Sequence, residues 1–282
     1  MPVDQERSRL PFQKLARQLT KLATKRAPEN VHKFRTYSRR VEALLDELVS
    51  EPNRNDKKLL KRLSQLRKKA GRVRDLDVQI ASLGSLKIPQ DAGRKSQLRH
   101  SLAEERAQRE KKLGKAFDGE TVRELRRRLK RAASHEIPES RELVTLAMRQ
   151  LAQLGRDHVP LTEKILHQYR IAGKRARYLA ELAGKDPEAE RLVGQLKRMQ
   201  DLIGDWHDWL KLTEKAEELF DGARDSALLV ALRNVTRAKF RQAVDALTET
   251  RATLSGKKPL SMREAPGRRP PAQVVSETAA VA

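Results

Sequence analysis

Eighteen residues near the start of the chain, VHKFRTYSRRVEALLDEL (Val31–Leu48), are matched 135 positions later by LHQYRIAGKRARYLAELA (Leu166–Ala183). His32 falls over His167, Arg35 over Arg170, Arg39 over Lys174, Arg40 over Arg175 and Leu44 over Leu179, while Phe34 meets Tyr169. A second block follows in the same order at a shift of 133: LSQLRKKAGRVRD (Leu63–Asp75) over LKRMQDLIGDWHD (Leu196–Asp208). It pairs Leu63 with Leu196, Gly71 with Gly204, Arg74 with His207 and Asp75 with Asp208. Two blocks in nearly one register indicate a duplicated unit, and so one domain with internal pseudo-symmetry.

The unit is helical. At about 100° per residue, His32, Arg35 and Arg39 fall within an arc of roughly 60°. Phe34, Tyr37, Val41, Leu44 and Leu48 gather on nearly the opposite side, as in a helix that buries one face. The same periodicity predicts helices near residues 10–26, 30–50, 55–83, 92–116, 120–133, 139–157, 161–184, 188–221 and 223–254. Pro28, Pro52, Pro138, Pro160 and Pro187 stand at or near the breaks, where a ring without an amide donor is tolerated. No segment alternates with the period of 2 that strands require. The expected fold is all-α: long antiparallel helices in two pseudo-symmetric bundles within one domain, residues 8–255, with halves of about 8–116 and 120–254. Gly84–Gly93 reads as a loop between helical groups, and the Pro- and Ala-rich segment 256–282 as a disordered tail.

Charge decides what kind of partner to expect. The 282 residues hold 61 Lys+Arg against 38 Asp+Glu, a formal charge of +23, and a surface so far from neutrality calls for a polyanion. Taken alone, a cationic stripe on one amphipathic helix reads as a solvated face. Repetition shifts that balance, because a solvated face has no physical reason to recur with the same His, Arg and Arg/Lys positions. In the second copy Ile171, Tyr178 and Leu182 lie beside the stripe, so its cations line a groove where lowered dielectric strengthens their pull on an anion.

Several classes are excluded or disfavoured. The chain has no cysteine, hence no disulfide, thiol chemistry or thiolate metal site, which accords with a reducing cytoplasm. Its start lacks a secretory pattern, and no apolar run approaches the roughly 20 residues that cross a bilayer. The six histidines, at 32, 100, 135, 158, 167 and 207, form no His-Glu-x-x-His pair, and no glycine-rich phosphate loop occurs. The Asp-x-Asp of RDLDVQ (Arg74–Gln79) makes a poor metal site, since residues two apart on a helix point away from each other. No catalytic residue, metal ligand or cofactor is expected.

The paired blocks VHKFRTYSRR with GRVRDLDV, and LHQYRIAGKRARYL with LIGDWHD, resemble the CHAD domain, the conserved histidine α-helical domain, over about residues 8–255. The resemblance implies a helical domain of two pseudo-symmetric bundles around a basic surface that binds inorganic polyphosphate without catalysis. Carried over by position, it implies phosphate contacts from His32, Arg35, Arg39 and Arg40 in the first copy, and from His167, Arg170, Lys174, Arg175 and Arg177 in the second. Two departures stand out: Glu42 occupies the place of Arg177 in the first copy, and the second Gly-x-x-x-Asp block lacks a counterpart of Asp77. The Glu-x-Glu-x-Lys strand of the CYTH triphosphatases, which often accompany such domains, is absent, so a free-standing module is expected, cytoplasmic and placed at polyphosphate granules.

Polyphosphate carries about one charge per unit and has no bases to read. A row of arginine forks and mobile lysines therefore suits it, and binding should weaken with salt. Two further basic runs, Lys57–Arg74 and Val122–Arg131, read as solvated helix faces that add to the field, with Lys61, Lys68 and Arg72 as secondary candidates. Asp75 and Asp208 are expected to hold arginines in place, Gly71 and Gly204 to permit close packing, and Trp206 and Trp209 to lie in the core. The main alternative is a nucleic-acid-binding or nucleoid-associated helical protein. An interaction module for an acidic protein or anionic lipid, and a phosphohydrolase using His32 and His167, are further readings.

Overall fold

The computed structural model describes residues 5–49, 51–135, 143–152, 161–183, 186–221 and 226–254. Among them run nine helices: α1 (Gln5–Thr24), α2 (Pro28–Leu48), α3 (Arg54–Ser85), α4 (Ala92–Ala116), α5 (Gly119–Ala132), α6 (Leu143–Ala152), α7 (Glu163–Ala180), α8 (Pro187–Leu219) and α9 (Ala227–Leu254). No strand occurs among the described residues, so the protein is all-α. The segment 256–282, Pro138, Pro160 and His158 lie outside the described residues.

Local chemistry sets the ends. Pro28 and Pro187 occupy the first turns of α2 and α8, where the missing amide costs no helical bond. Asn53 closes a capping box on α3: its side chain accepts from the Asp56 amide at 3.1 Å while Asp56 accepts from the Asn53 amide at 3.0 Å. The Asp118 and Asp186 side chains cap α5 and α8 by accepting from the Thr121 and Ala189 amides. Asp91, just before α4, accepts from Ser226 Oγ and the Leu228 amide at the start of α9, tying the two halves together. Most described boundaries fall within about two residues of expectation, the expected ends of α6 and start of α9 lie outside the described residues, and two boundaries differ by more. α1 begins at Gln5, upstream of residue 10, and carries Pro11 inside at the loss of one backbone bond. The α7 pattern, expected to 184, ends at Ala180, after which Leu182 and Ala183 donate to carbonyls three residues back, tightening the last turn.

In the first half α1 packs on α2, α2 on α3 and α3 on α4; in the second α6 packs on α7, α7 on α8 and α8 on α9. α5 lies against α1 and α3, and the halves meet through α2 with α7 and α3 with α8. The main core joins Phe34, Leu45, Leu63, Leu125, Leu166 and Trp206, with Phe34 edge-on to Phe117 at 5.1 Å. A smaller cluster at the far ends of α3 and α8 holds Leu83, Leu98, Trp209 and Leu228, so both tryptophans are buried. No helix among the described residues is long and apolar enough to cross a membrane. Because α2 and α7 carry the two repeated cationic blocks, their contact is what brings those blocks together.

Candidate anion-binding groove

Both stripes open into one cavity of about 500 Å³, bounded by α2, α3, α7 and α8. α2 supplies His32, Arg35 and Arg39, α7 supplies Arg170, Lys174 and Arg177, Arg74 and Lys197 add two more cations, and Asp75, Asp201, Asp205 and Asp208 are the acids of the lining. An adjoining cavity of about 290 Å³ shares Arg39, Arg170, Lys174 and Tyr178, and adds Glu42, Arg67, His167 and Arg175. Arg39, Arg170 and Lys174 thus form a central row with open space on either side.

The Gly-x-x-x-Asp blocks position the arginines. A Cβ at Gly71 would stand 3.0 Å from Arg35 Nη1, so this glycine gives room to a guanidinium where close helix packing was expected. Asp75, one turn on, pairs with Arg35 at 3.1 Å. In the second copy the fit is looser: a Cβ at Gly204 would lie 4.0 Å from Arg170 Nε, and Asp208 acts on Arg170 through charge. Asp77 turns the other way, to Arg106 of α4 at 2.6 Å, so the two carboxylates of Asp-x-Asp serve opposite faces of α3. The contrast predicts that Gly204→Ala raises the melting temperature, through about 1 kcal/mol of helix propensity. Gly71→Ala should gain less and weaken anion binding by displacing Arg35; thermal melts with parallel binding titrations check this.

Burial crowds the central row. The Lys174 ammonium is pushed down to about 6 by loss of solvent and then by Arg170, Arg39 and Arg35. Burial likewise lowers Arg39 to about 10 and depresses Arg170, where Asp208 partly compensates. His32 falls below the usual imidazole range by desolvation and then by Arg74, Arg35 and Arg39. His207 falls to about 4 through burial and then Arg170, with the His167 ring 6.0 Å away. Arg170 Nε is buried without a hydrogen-bond partner. Cations held this close are stabilised by any anion that enters.

The remaining sequence candidates are placed differently. Arg40 turns out of the groove, pairs with Glu181, the residue capping the C-terminus of α7, at 2.8 Å and stacks on Tyr37 and Tyr178. Arg175, its counterpart, is exposed and offsets part of the burial that raises the Asp46 carboxyl. Arg72 lines a third cavity of about 400 Å³ with His207, Asp75 and Asp208. Lys61 and Lys68 are exposed on α3 and line none of these cavities. Sequence reasoning missed Arg74, Lys197 and Arg67. The repeat had already set Arg74 over His207, which is a usable signal; Lys197 carries none.

The comparisons bear on the family and the fold. The family model for the CHAD domain matches residues 9–217, which includes every candidate cation above. Among solved structures, the chain resembles the CHAD domain from the plant Ricinus communis at 18% identity and TM-score 0.65, covering 88% of this chain and 89% of that one. It also resembles PptA from Streptomyces chartreusis at 15% identity and TM-score 0.67, covering 91% of this chain and 100% of that one. No curated protein sequence matches. With three quarters of its length under the family model and the same helical fold, the chain belongs to the CHAD domain family.

Proposed function

We propose that the protein binds inorganic polyphosphate, non-catalytically, along the central row of Arg39, Arg170 and Lys174 and the cations beside it. The observation that carries this reading is the convergence of both repeated stripes on one groove. Cations from each half, with lowered proton affinity, face each other across a cleft. Family membership supports the same ligand. An acidic oxygen chain relieves the mutual repulsion of these cations, and arginine forks grip successive phosphoryl groups. No metal-holding cluster of His, Asp and Glu exists among the described residues, and the reading invokes none. A cytoplasmic, granule-associated placement follows from the ligand.

Nucleic acid is the competitor that the net charge alone suggests. Competition across a salt series, with long-chain polyphosphate against duplex DNA and RNA of matched charge, separates the two. Polyphosphate is expected to displace both at each salt concentration, with affinity falling as salt rises. Equal displacement in either direction would defeat the polyphosphate assignment.

A further inference from the structure

The two halves of the groove are unequal, and the inequality sits at two repeat positions. Glu42 in the first copy corresponds to Arg177 in the second, and Arg67 corresponds to Gln200. In the first copy the two side chains consume each other: Arg67 Nη2 donates to Glu42 Oε1 at 2.8 Å, Nη1 donates to Oε2, and both residues are partly buried. In the second copy the two positions do not pair with each other, and Arg177 Nε instead meets Glu181 Oε1, four residues on, at 3.4 Å. Gln200 is neutral, buried and without a hydrogen-bond partner for its amide, and Arg177 faces the larger cavity. The smaller cavity, across the central row, contains Glu42 as its one acidic lining residue, already bound to Arg67.

We propose that Glu42 is a built-in counter-ion that sets the length of phosphate chain the site holds, an inference that rests on the polyphosphate reading above. A short chain is satisfied by the central row and the larger cavity, leaving the Glu42–Arg67 pair closed. A long chain reaches the smaller cavity and must displace the Glu42 carboxylate from Arg67, so part of its binding free energy goes into breaking a two-point ion pair. Removing the carboxylate leaves Arg67 free for the chain, and only a chain long enough to reach it benefits.

The test measures affinities for tripolyphosphate and for polyphosphate of about 60 units by calorimetry, with the parent protein, Glu42→Gln and Glu120→Gln. Glu120 lies exposed in the first turn of α5, and its variant reports the effect of one added unit of net charge. Glu42→Gln should bind the long chain about tenfold more tightly than Glu120→Gln does and tripolyphosphate within twofold. Adding Arg67→Gln to Glu42→Gln should return the long chain to the parental value. Circular dichroism establishes that each variant is folded, and Glu42→Ala replaces Glu42→Gln if the amide fails to fold. An equal gain at both lengths, no gain at either, or weaker binding of the long chain overturns the role of Glu42. A parent that binds neither chain overturns the polyphosphate reading itself, and this inference with it.

Discussion

Replacing Arg35, Arg39, Arg170 and Lys174 together with glutamate should lower polyphosphate affinity by roughly 10⁴-fold or more while leaving the helical circular dichroism signal intact. Each contact between an ionised side chain and phosphate contributes about 1.5–3 kcal/mol, and every 1.4 kcal/mol is a factor of ten. Four reversals also turn attraction into repulsion. All four residues line the groove between α2 and α7, and of them Arg35 alone has an acidic partner within ion-pair distance among the described residues. The fold therefore loses little when they change. Arg123, Arg126, Arg127 and Lys130 supply the control, because they are exposed on α5 and away from the groove. Reversing them produces the same net charge, and the expected loss is at most about tenfold. If the two variants bound equally, the groove would be ordinary basic surface.

A second large effect concerns one lysine. With Lys174 lowered to about 6 by burial and ordinary lysine near 10.4 in the unfolded chain, the unfolded state holds more protons between those values. Stability must therefore rise with pH across that window. The cost of burying the ammonium is full below pH 6 and vanishes above the unfolded value. Lys174→Met removes it, and its melting temperature at pH 7 should exceed the parent's by at least about 3 °C, with the gain shrinking toward pH 10. The same variant should bind polyphosphate at least tenfold more weakly. Arg35, Arg39 and Arg170 depress this group and Asp208 raises it, and a bound polyanion adds to the latter influence. Binding at pH 7.5 should thus take up most of a proton, and affinity should fall as pH rises from 6. Calorimetry in buffers of different ionisation enthalpy measures the uptake; the same uptake in Lys174→Met would assign it elsewhere.

The fold was legible because helical period, proline and capping residues agree along the chain. Asn53, Asp118 and Asp186 each stand where the pattern begins, and Pro28 and Pro187 occupy first turns. α1 escaped partly, since Pro11 is itself a breaker signal and a helix that tolerates it is read as starting later. The groove was legible at His32, Arg35, Arg39, Arg170 and Lys174 because repetition filtered them from 61 basic residues. The same filter also passed Arg40, which structure turns toward Glu181. Neighbours on a helix differ by about 100°, and the acid that captures Arg40 sits at the C-terminal cap of α7, so only the packing of α2 on α7 separates it from Arg39. Lys197 was invisible for the opposite reason. Nothing at its repeat counterpart, Ser64, is basic, and its place in the groove depends on how α8 lies across α7.

The central claim is that two repeated stripes make one site. It is tested most directly by disabling each half alone, with Arg35→Gln/Arg39→Gln in one variant and Arg170→Gln/Lys174→Met in the other. A short polyphosphate of defined length is titrated into each by calorimetry. One shared groove predicts that both variants lose affinity by at least about 100-fold and that the parent binds one chain per protein. Two binding events in the parent, with each variant retaining one of them at the parental affinity, would contradict it.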